Sequence, residues 1–385
     1  MSTGTRLACG SFFNDKLAIV TPGINQSESH YRSQSFWLDS VPGPLQARSR
    51  LPGDRHADVV ILGAGYTGLW TAYYLNKHAP DLDIVILEAE IAGFGASGRN
   101  GGWCSSYLAG LEAWMEKPEI RNDAIFLQRL MIDTVSEVGR VCQAEGVDCH
   151  FAHEGHVSAA LLPGHLKRDS EHVKFMHQMG FSDDFHMLDS DEVTQRVNMD
   201  GVLGGSFTPH CAAIQPALLA RGLADVIERR GVRIFEQSPA TSFGPGSVET
   251  TDGSVSAGTV ILATEGYSGS LPGLKRKLVP FHSTMIATEP LTDREIESTG
   301  LQRRYNWNDG RHMVTYGQLT QDRRIAFGHR GRYLYNGRVQ EKFDHQEPVF
   351  GTIERELVRL FPSLDGKKVT HAWGGAMGVT RSMSP

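Results

Sequence analysis

The 385-residue chain is 40% hydrophobic and 21% charged, with a formal net charge of −6. That composition suits a globular protein of about two domains and leaves no basic field for a nucleic-acid partner. No apolar run approaches the ~18 residues that span a bilayer, so no membrane span is expected. The N-terminus has one arginine, Arg6, and no sustained apolar stretch, so a secretory signal is not expected, and Leu7-Ala8-Cys9-Gly10 matches a lipoprotein cleavage site only by chance. Five scattered cysteines fit a reducing cytoplasm better than a disulfide framework.

In chain order, residues 1–50 read as an N-terminal arm, mobile before about Ser35, with Trp37-Leu38 and the stretch from Val41 to Pro52 as an extended lead-in. Ala57 to Leu62 and Asp83 to Leu87 are apolar runs of the kind that form strands buried on both faces. Between them, Leu69, Ala72, Tyr73 and Leu75 recur at helical spacing over Tyr66 to His78. A long amphipathic helix is predicted from Asp123 to Ala144, stopped by Gly146, and residues 150–162 alternate as a strand. Pro216 to Arg230 begins with a first-turn proline and stops at Gly231. Val232 to Glu236 is a strand, a hairpin turns at Asp252-Gly253, and Thr259 to Ala263 is a third buried strand. A last helix is predicted over Val349 to Phe361.

The first chemistry lies at Gly63-Ala64-Gly65-Tyr66-Thr67-Gly68. Gly63 makes the tight turn out of the strand, Gly65 lets a pyrophosphate approach the backbone, and Gly68 lets the helix pack on the sheet. The helix N-terminus offers N–H groups and a positive dipole end to phosphates. Glu88 closes the second strand about 20 residues later, where a carboxylate accepts hydrogen bonds from a ribose. The combination of buried strand, glycine turn, helix and acidic strand end predicts a dinucleotide-binding unit from Asp58 to Glu88. A second loop follows, Gly93-Phe94-Gly95-Ala96-Ser97-Gly98-Arg99-Asn100-Gly101-Gly102, with glycines that let backbone pass a large flat ligand and Ser97, Arg99 and Asn100 as donors.

The stretch GFGASGRNGG after the Glu88 strand resembles the D-amino-acid oxidase and sarcosine oxidase family of FAD-dependent enzymes, most of all its γ-glutamylputrescine oxidase-like branch. Further landmarks are Val260-Ile261-Leu262-Ala263-Thr264 with Tyr267, Val279-Pro280-Phe281, Thr288-Glu289-Pro290-Leu291, Phe327-Gly328-His329-Arg330-Gly331 and Trp373-Gly374-Gly375. The resemblance implies an α/β fold in which a Rossmann-like βαβ domain binds FAD and a second, mixed-sheet domain holds the substrate. The FAD domain would comprise residues 51–150, 206–274 and 368–385, and the substrate domain 151–205 and 275–367. It implies oxidation of the C–N bond of a small amine or amino acid by hydride transfer to the flavin, with oxygen as acceptor and peroxide as product. No second GxGxxG and no Cys-x-x-Cys are present, which removes NADPH-dependent monooxygenases and disulfide reductases. No cysteine follows Cys211 and the glycine loop lacks histidine, so the FAD is expected to be non-covalent.

The residues expected to hold FAD are Gly63, Gly65, Gly68, Glu88, Ser97, Arg99, Asn100, Gly101, Ala263 and Thr264. His282, after Pro280-Phe281, is expected to sit beside the flavin ring as a cation aiding its reoxidation, with Lys277 as the alternative. Arg330 would bind a substrate carboxylate, and His329 stands where the resemblance calls for glycine. Cys149, His150, His153 and His156 do not converge if the segment is a strand, because His153 faces away from His150 and His156; His172 and His177 do not align on a helix either, so no metal is expected. The chain reaches Thr380-Arg381-Ser382-Met383-Ser384-Pro385 where the family leads into a further strand, turn and helix. It is therefore expected to be a truncated member, the alternative to an active oxidase being a non-catalytic flavin-binding remnant.

Overall fold

The computed structural model describes residues 27–311 and 314–380. The reading of Leu7-Ala8-Cys9-Gly10 and the expected truncation at Arg381-Ser382-Met383-Ser384-Pro385 lie outside the described residues.

A six-stranded sheet runs in the spatial order Arg233–Phe235, Ile84–Leu87, Arg55–Leu62, Ser254–Leu262, Ser247–Thr250, Ala240–Gly244. Its first four strands are parallel, with Val60 between Val85 and Val260. The apolar run Val59 to Leu62 is almost wholly buried because both faces are covered. On one face the helices Tyr66–His78, Arg121–Glu145 and Pro216–Arg229 pack Leu69, Val141 and Leu223 against Ile61 and Ile86. On the other, Leu51, Phe235 and Val248 close over Val60 and Val85.

Three sequence expectations change here. Residues 27–50 are packed, not loose: Tyr31, Phe36, Trp37, Leu38 and Leu45 are buried with Phe94 and Trp373, because this short stretch carries enough aromatic surface to anchor itself. The strand expected from 150 to 162 spans only His156–Ala160, since His150 at φ 55° and Gly155 at φ 95° break the extended backbone. The expected buried strand Thr259 to Ala263 is the second half of Ser254–Leu262. Val255 and Ala257 in its first half are buried, whereas Leu262 is 38% exposed.

An eight-stranded sheet has the order Val369–Val379, Val279–Thr288, Ile325–Tyr333, Thr315–Leu319, Asn306–Asp309, His156–Ala160, Gly204–Thr208, His186–Leu188. All pairings are antiparallel except Asn306–Asp309 with His156–Ala160. Strand Val369–Val379, in the segment assigned from sequence to the FAD domain, pairs with Val279–Thr288 in this sheet. One face carries Val157, Ile286, Trp307 and Phe327 and is covered by the helix Pro348–Leu360 through Phe350 and Leu357. No helix among the described residues is long and apolar enough to cross a membrane.

Candidate cofactor and substrate site

The fingerprint loop is built so that backbone approaches backbone. Gly63 has φ +103°, and a Cβ on it would lie 2.5 Å from the carbonyl oxygen of Ala263. A Cβ on Gly68 would lie 2.0 Å from the Gly63 carbonyl oxygen. Ala263 N–H donates to the Leu62 carbonyl at 2.8 Å, and the Thr264 and Ser268 hydroxyls meet at 2.8 Å. The helix Tyr66–His78 starts at Gly65, which has no side chain to cap it, and the Ser97 hydroxyl accepts from Tyr66 N–H at 2.9 Å. A first turn capped from outside by a hydroxyl is a polar, donor-rich seat for a phosphate.

Glu88 reaches into this loop. Its carboxylate accepts from Ala64 N–H at 2.7 Å and Glu90 N–H at 3.0 Å. Burial pushes its carboxyl up to about 7, against the pull of those two donors and with the buried Glu236 adding to the rise. Burial, and then Glu88 itself, lift Glu90 to about 7 as well. The sign follows: carboxyls raised in the fold hold protons that the unfolded chain releases, so their effect on stability is lost as pH rises from the ordinary carboxylate range toward about 7. Ribose hydroxyls donating to Glu88 favour its ionised form. Cofactor binding is therefore expected to release a proton and to strengthen as pH rises through about 7. Calorimetry in buffers of different ionisation enthalpy reads that proton, and Glu88→Ala is expected to weaken FAD by about 1–3 kcal/mol and to erase the proton release. Unchanged affinity and proton count in Glu88→Ala would remove Glu88 from the site.

The second glycine loop leads from this seat to the eight-stranded sheet. Asn100 folds the loop on itself, donating to the Ala96 and Ser97 carbonyls and accepting from Gly102 N–H at 2.7 Å. Arg99 is buried; its guanidinium lies over Phe94 and donates to the Phe94 and Glu341 carbonyls, while Nη2 is buried with no hydrogen bond. A Cβ on Gly101 would lie 2.9 Å from the Tyr316 ring, and Gln318 donates to the Gly101 and Gly102 carbonyls.

The face of the eight-stranded sheet turned toward this loop is polar over its middle strands, with Met285, Ala287, Ala326 and Trp373 forming an apolar end. Register places Ser283, Tyr316, Gln318, Asn306, Asn308, His156 and Ser158 on it, since His156 pairs with Asn306, Asn306 with Gln318, and Asn308 with Tyr316. The Ser283 and Tyr316 hydroxyls are hydrogen-bonded to each other. Trp103, one residue past the loop, meets Tyr316 edge-on and His156 at a tilt, with centroids 5.6 and 5.1 Å away. The buried atoms Trp103 Nε1, Asn306 Oδ1 and Gln318 Oε1 have no hydrogen-bond partner in the protein, and His156 Nε2 and Asn308 Oδ1 have none of good geometry, although Asn308 lies close enough to the imidazole to interact with it. Sheet faces against a domain interior are ordinarily apolar, and stranded polar atoms in this number mark a place where a ligand supplies the partners. Burial lowers the His156 imidazole to about 4, with Asn308 opposing, so the ring is neutral at physiological pH although part of its edge meets solvent.

The glycines of the fingerprint, Glu88, Ser97, Arg99, Asn100, Gly101, Ala263 and Thr264 thus lie along one path from the first strand end to the polar sheet face. Of the other predicted residues, His282 and Lys277 lie elsewhere, while alternation along Ile325–Tyr333 puts Arg330 at the rim of the Tyr316 face. His282 is fully buried on the opposite face, its Nε2 accepting from Gln340 N–H at 2.8 Å. Alternation along Val279–Thr288 turns Ser283, not His282, to the glycine loop. Lys277 is exposed in the turn before that strand. Arg330 is exposed, within electrostatic reach of Tyr107, and His329 Nδ1 meets the Arg330 carbonyl oxygen at 2.6 Å. Two open surface clefts of about 430 and 460 Å3, near Phe36 and near His150, touch neither the loops nor the polar face. The stranded polar atoms locate the site better than those hollows do. Trp103, Tyr316 and His156 are not among the cofactor or substrate residues expected from sequence; the signal that marks them is polar residues alternating in strands otherwise apolar on the second face.

The FAD dependent oxidoreductase family profile matches residues 58–385. Gamma-glutamylputrescine oxidoreductase of Escherichia coli (strain K12) is 29% identical over 334 residues, covering 85% of this chain and 75% of that protein. Probable oxidoreductase OrdL of Haemophilus influenzae is 26% identical over 368 residues, covering 93% and 81%. Among solved structures, glycine oxidase from Geobacillus kaustophilus superposes with a TM-score of 0.69 over 86% of this chain and 85% of that one, at 17% identity, a likeness of fold.

Proposed function

Because this chain belongs to the family of FAD-dependent oxidoreductases, we propose that it oxidises the C–N bond of a small amine or amino acid and passes the electrons to oxygen. The observation that carries this reading is the buried polar face around Trp103, Tyr316 and His156, set directly against the glycine loop. The similarity to gamma-glutamylputrescine oxidoreductase supports an amine as substrate. Held by Gly63, Gly65, Gly68, Glu88, Ser97 and Arg99, FAD would supply the hydride acceptor for the carbon bearing the nitrogen, with oxygen as the final acceptor and peroxide as product.

The chain's own part is to hold and orient. Gly63, Gly65 and Gly68 leave room for the pyrophosphate, Glu88 takes the ribose, and Ser97, the free Nη2 of Arg99 and the loop through Gly101 continue the seat toward the sheet. No covalent link is part of the reading. Trp103 and Tyr316 give the substrate carbon a firm wall, which is what a near-attack position needs. His156, neutral and with Nε2 shut off from water, accepts a hydrogen bond from the amine without repelling it. In this reading the eight-stranded sheet is the substrate domain and the six-stranded sheet the FAD domain. His282 faces away from this polar face and Lys277 lies outside it, so the reacting amine is assigned to His156, with Arg330 left at the rim of the face.

The test is a peroxide-coupled screen of aliphatic amines and amino acids in air with FAD-loaded protein. Peroxide formed in step with the imine-derived carbonyl product is expected. Turnover only with an added dye acceptor would contradict the role of oxygen.

A further inference from the structure

We infer that Cys142 and Cys149 form a thiol–disulfide switch that closes on hydrogen peroxide and, once closed, loosens the hold on FAD. It rests on the oxidase reading above only for the source of that peroxide. The two Sγ atoms lie 3.7 Å apart and share a hydrogen bond, both buried in the core behind the parallel sheet. Cys142 is in the last turn of the helix Arg121–Glu145. Gly146, at φ 70°, reverses the chain there, and Val147 N–H donates back to the Cys142 carbonyl at 2.8 Å. Disulfide sulfurs stand about 2 Å apart, so these two need close by only about 1.7 Å. Cys104 and Cys211, the other free thiols among the described residues, are not hydrogen-bonded to a thiol; Cys211 Sγ meets Asn306 Nδ2 at 3.0 Å instead.

The hydrogen bond from the Cys149 thiol holds the Cys142 thiol below its ordinary value against the pull of burial, and the same bond pushes Cys149 up, with burial adding to the rise. Cys142 is therefore the attacking thiolate. Its sulfur takes one oxygen of the peroxide, the O–O bond breaks, and the departing hydroxide picks up the proton that Cys142 released. Cys149 then attacks the sulfenic acid: the S–S bond forms, the S–O bond breaks, and the Cys149 proton leaves in a second water. Two thiols are oxidised and one peroxide is reduced to two waters. Asp148 and His150, on either side of Cys149, line the open cleft of about 460 Å3, so a small neutral oxidant needs only a local opening of that segment to reach the pair. Cys149 is also linked to the second glycine loop. Its carbonyl accepts from Gln215 N–H at 2.8 Å, the Gln215 side chain donates to the Trp37 carbonyl at 2.6 Å, and Trp37 Nε1 donates to the Asn100 carbonyl at 2.7 Å. The packing has no slack, since a Cβ on Gly222 would lie 2.5 Å from Val147 Cγ1. Drawing Cys149 toward Cys142 thus pulls on Gln215 and on the loop that carries Arg99 and Asn100.

The test treats the FAD-loaded full chain with hydrogen peroxide, maps its peptides by mass without reductant, and titrates FAD by flavin fluorescence before oxidation, after it and after dithiothreitol. A Cys142–Cys149 peptide lighter by two hydrogens is expected, with Cys104 and Cys211 still open to alkylation. FAD affinity is expected to fall about fivefold or more and to return with dithiothreitol. By reciprocity, FAD should shift the thiol–disulfide balance in a glutathione buffer toward the thiols by the same factor. Cys149→Ala is expected to keep its FAD affinity through the same treatment; if it fails to fold, the dithiothreitol reversal in the parent decides alone. Thiols that survive peroxide, a Cys142 sulfinic acid formed without the disulfide, or a disulfide that leaves FAD affinity unchanged would each overturn the switch. Appearance of the disulfide during aerobic turnover of an amine, and its suppression by catalase, would support turnover as the source. Closure by added peroxide in a protein whose flavin no amine bleaches would uphold the thiol pair and sink the oxidase reading instead.

Discussion

Gly68→Ala is expected to yield a protein that no longer retains FAD, with affinity reduced by about 100-fold or more and stability lowered by about 2–4 kcal/mol. Gly68 is in the first turn of the helix Tyr66–His78, where helix propensity alone would favour alanine by about 1 kcal/mol. Sterics decide against it. The added Cβ would stand 2.0 Å from the Gly63 carbonyl oxygen and 3.3 Å from Ile61 Cγ2. The first of these is backbone at a tight turn, held by Gly63 N–H donating to the Leu87 carbonyl at 2.8 Å. The helix must back away from the strand, taking its N-terminus off the phosphates. Gly164→Ala is the matched control, since nothing lies within 4 Å of the Cβ it adds. Visible absorbance of the purified protein and its thermal midpoint read the two effects. A yellow Gly68→Ala protein with an unshifted midpoint would show that helix and strand are not in the contact described.

Glu236→Ala is expected to cost about 3–5 kcal/mol, the range for stripping one partner from a buried ion pair. Glu236 is fully buried at the end of the strand Arg233–Phe235. Its carboxylate accepts from Arg48 Nη1 at 2.9 Å, Arg48 N–H at 2.6 Å and Ala92 N–H at 2.8 Å. Removing it leaves the Arg48 guanidinium in a site that is 12% exposed, although Asp225 and Glu228 still hold its outer nitrogens. It also removes the acceptor at Ala92, just before the second glycine loop, so FAD affinity is expected to fall with stability. Glu236→Gln keeps an acceptor oxygen and is expected to lose less. The check is the urea midpoint at constant slope. A loss under about 1 kcal/mol would mean that Asp225 and Glu228 alone neutralise Arg48.

The dinucleotide half was legible because its signals are local. The helix from Tyr66 to His78 has the predicted ends, set by Gly65 before it and the short loop to Asp83 after it. The helices Arg121–Glu145, Pro216–Arg229 and Pro348–Leu360 lie within one or two residues of expectation at each end, because apolar spacing, Pro and Gly marked them. The polar sheet face was not legible. It is assembled from single residues on several strands far apart in sequence, such as Ser283, Asn308, Tyr316 and His156, and only register brings them together. From sequence His156 reads only as a possible metal ligand, on the premise of a strand that His150 and Gly155 interrupt. Motif position alone gives His282 its strand but not its face; a shift of one residue exchanges His282 for Ser283.

The most direct measurement is an anaerobic one: FAD-loaded protein is mixed with an aliphatic amine or amino acid and the visible flavin absorbance is followed. The account predicts that the colour bleaches with amine alone, and that replacing His156 with Phe, which removes the buried Nε2, slows bleaching while FAD stays bound. Colour that persists with every amine and amino acid yet bleaches with NADPH would contradict it.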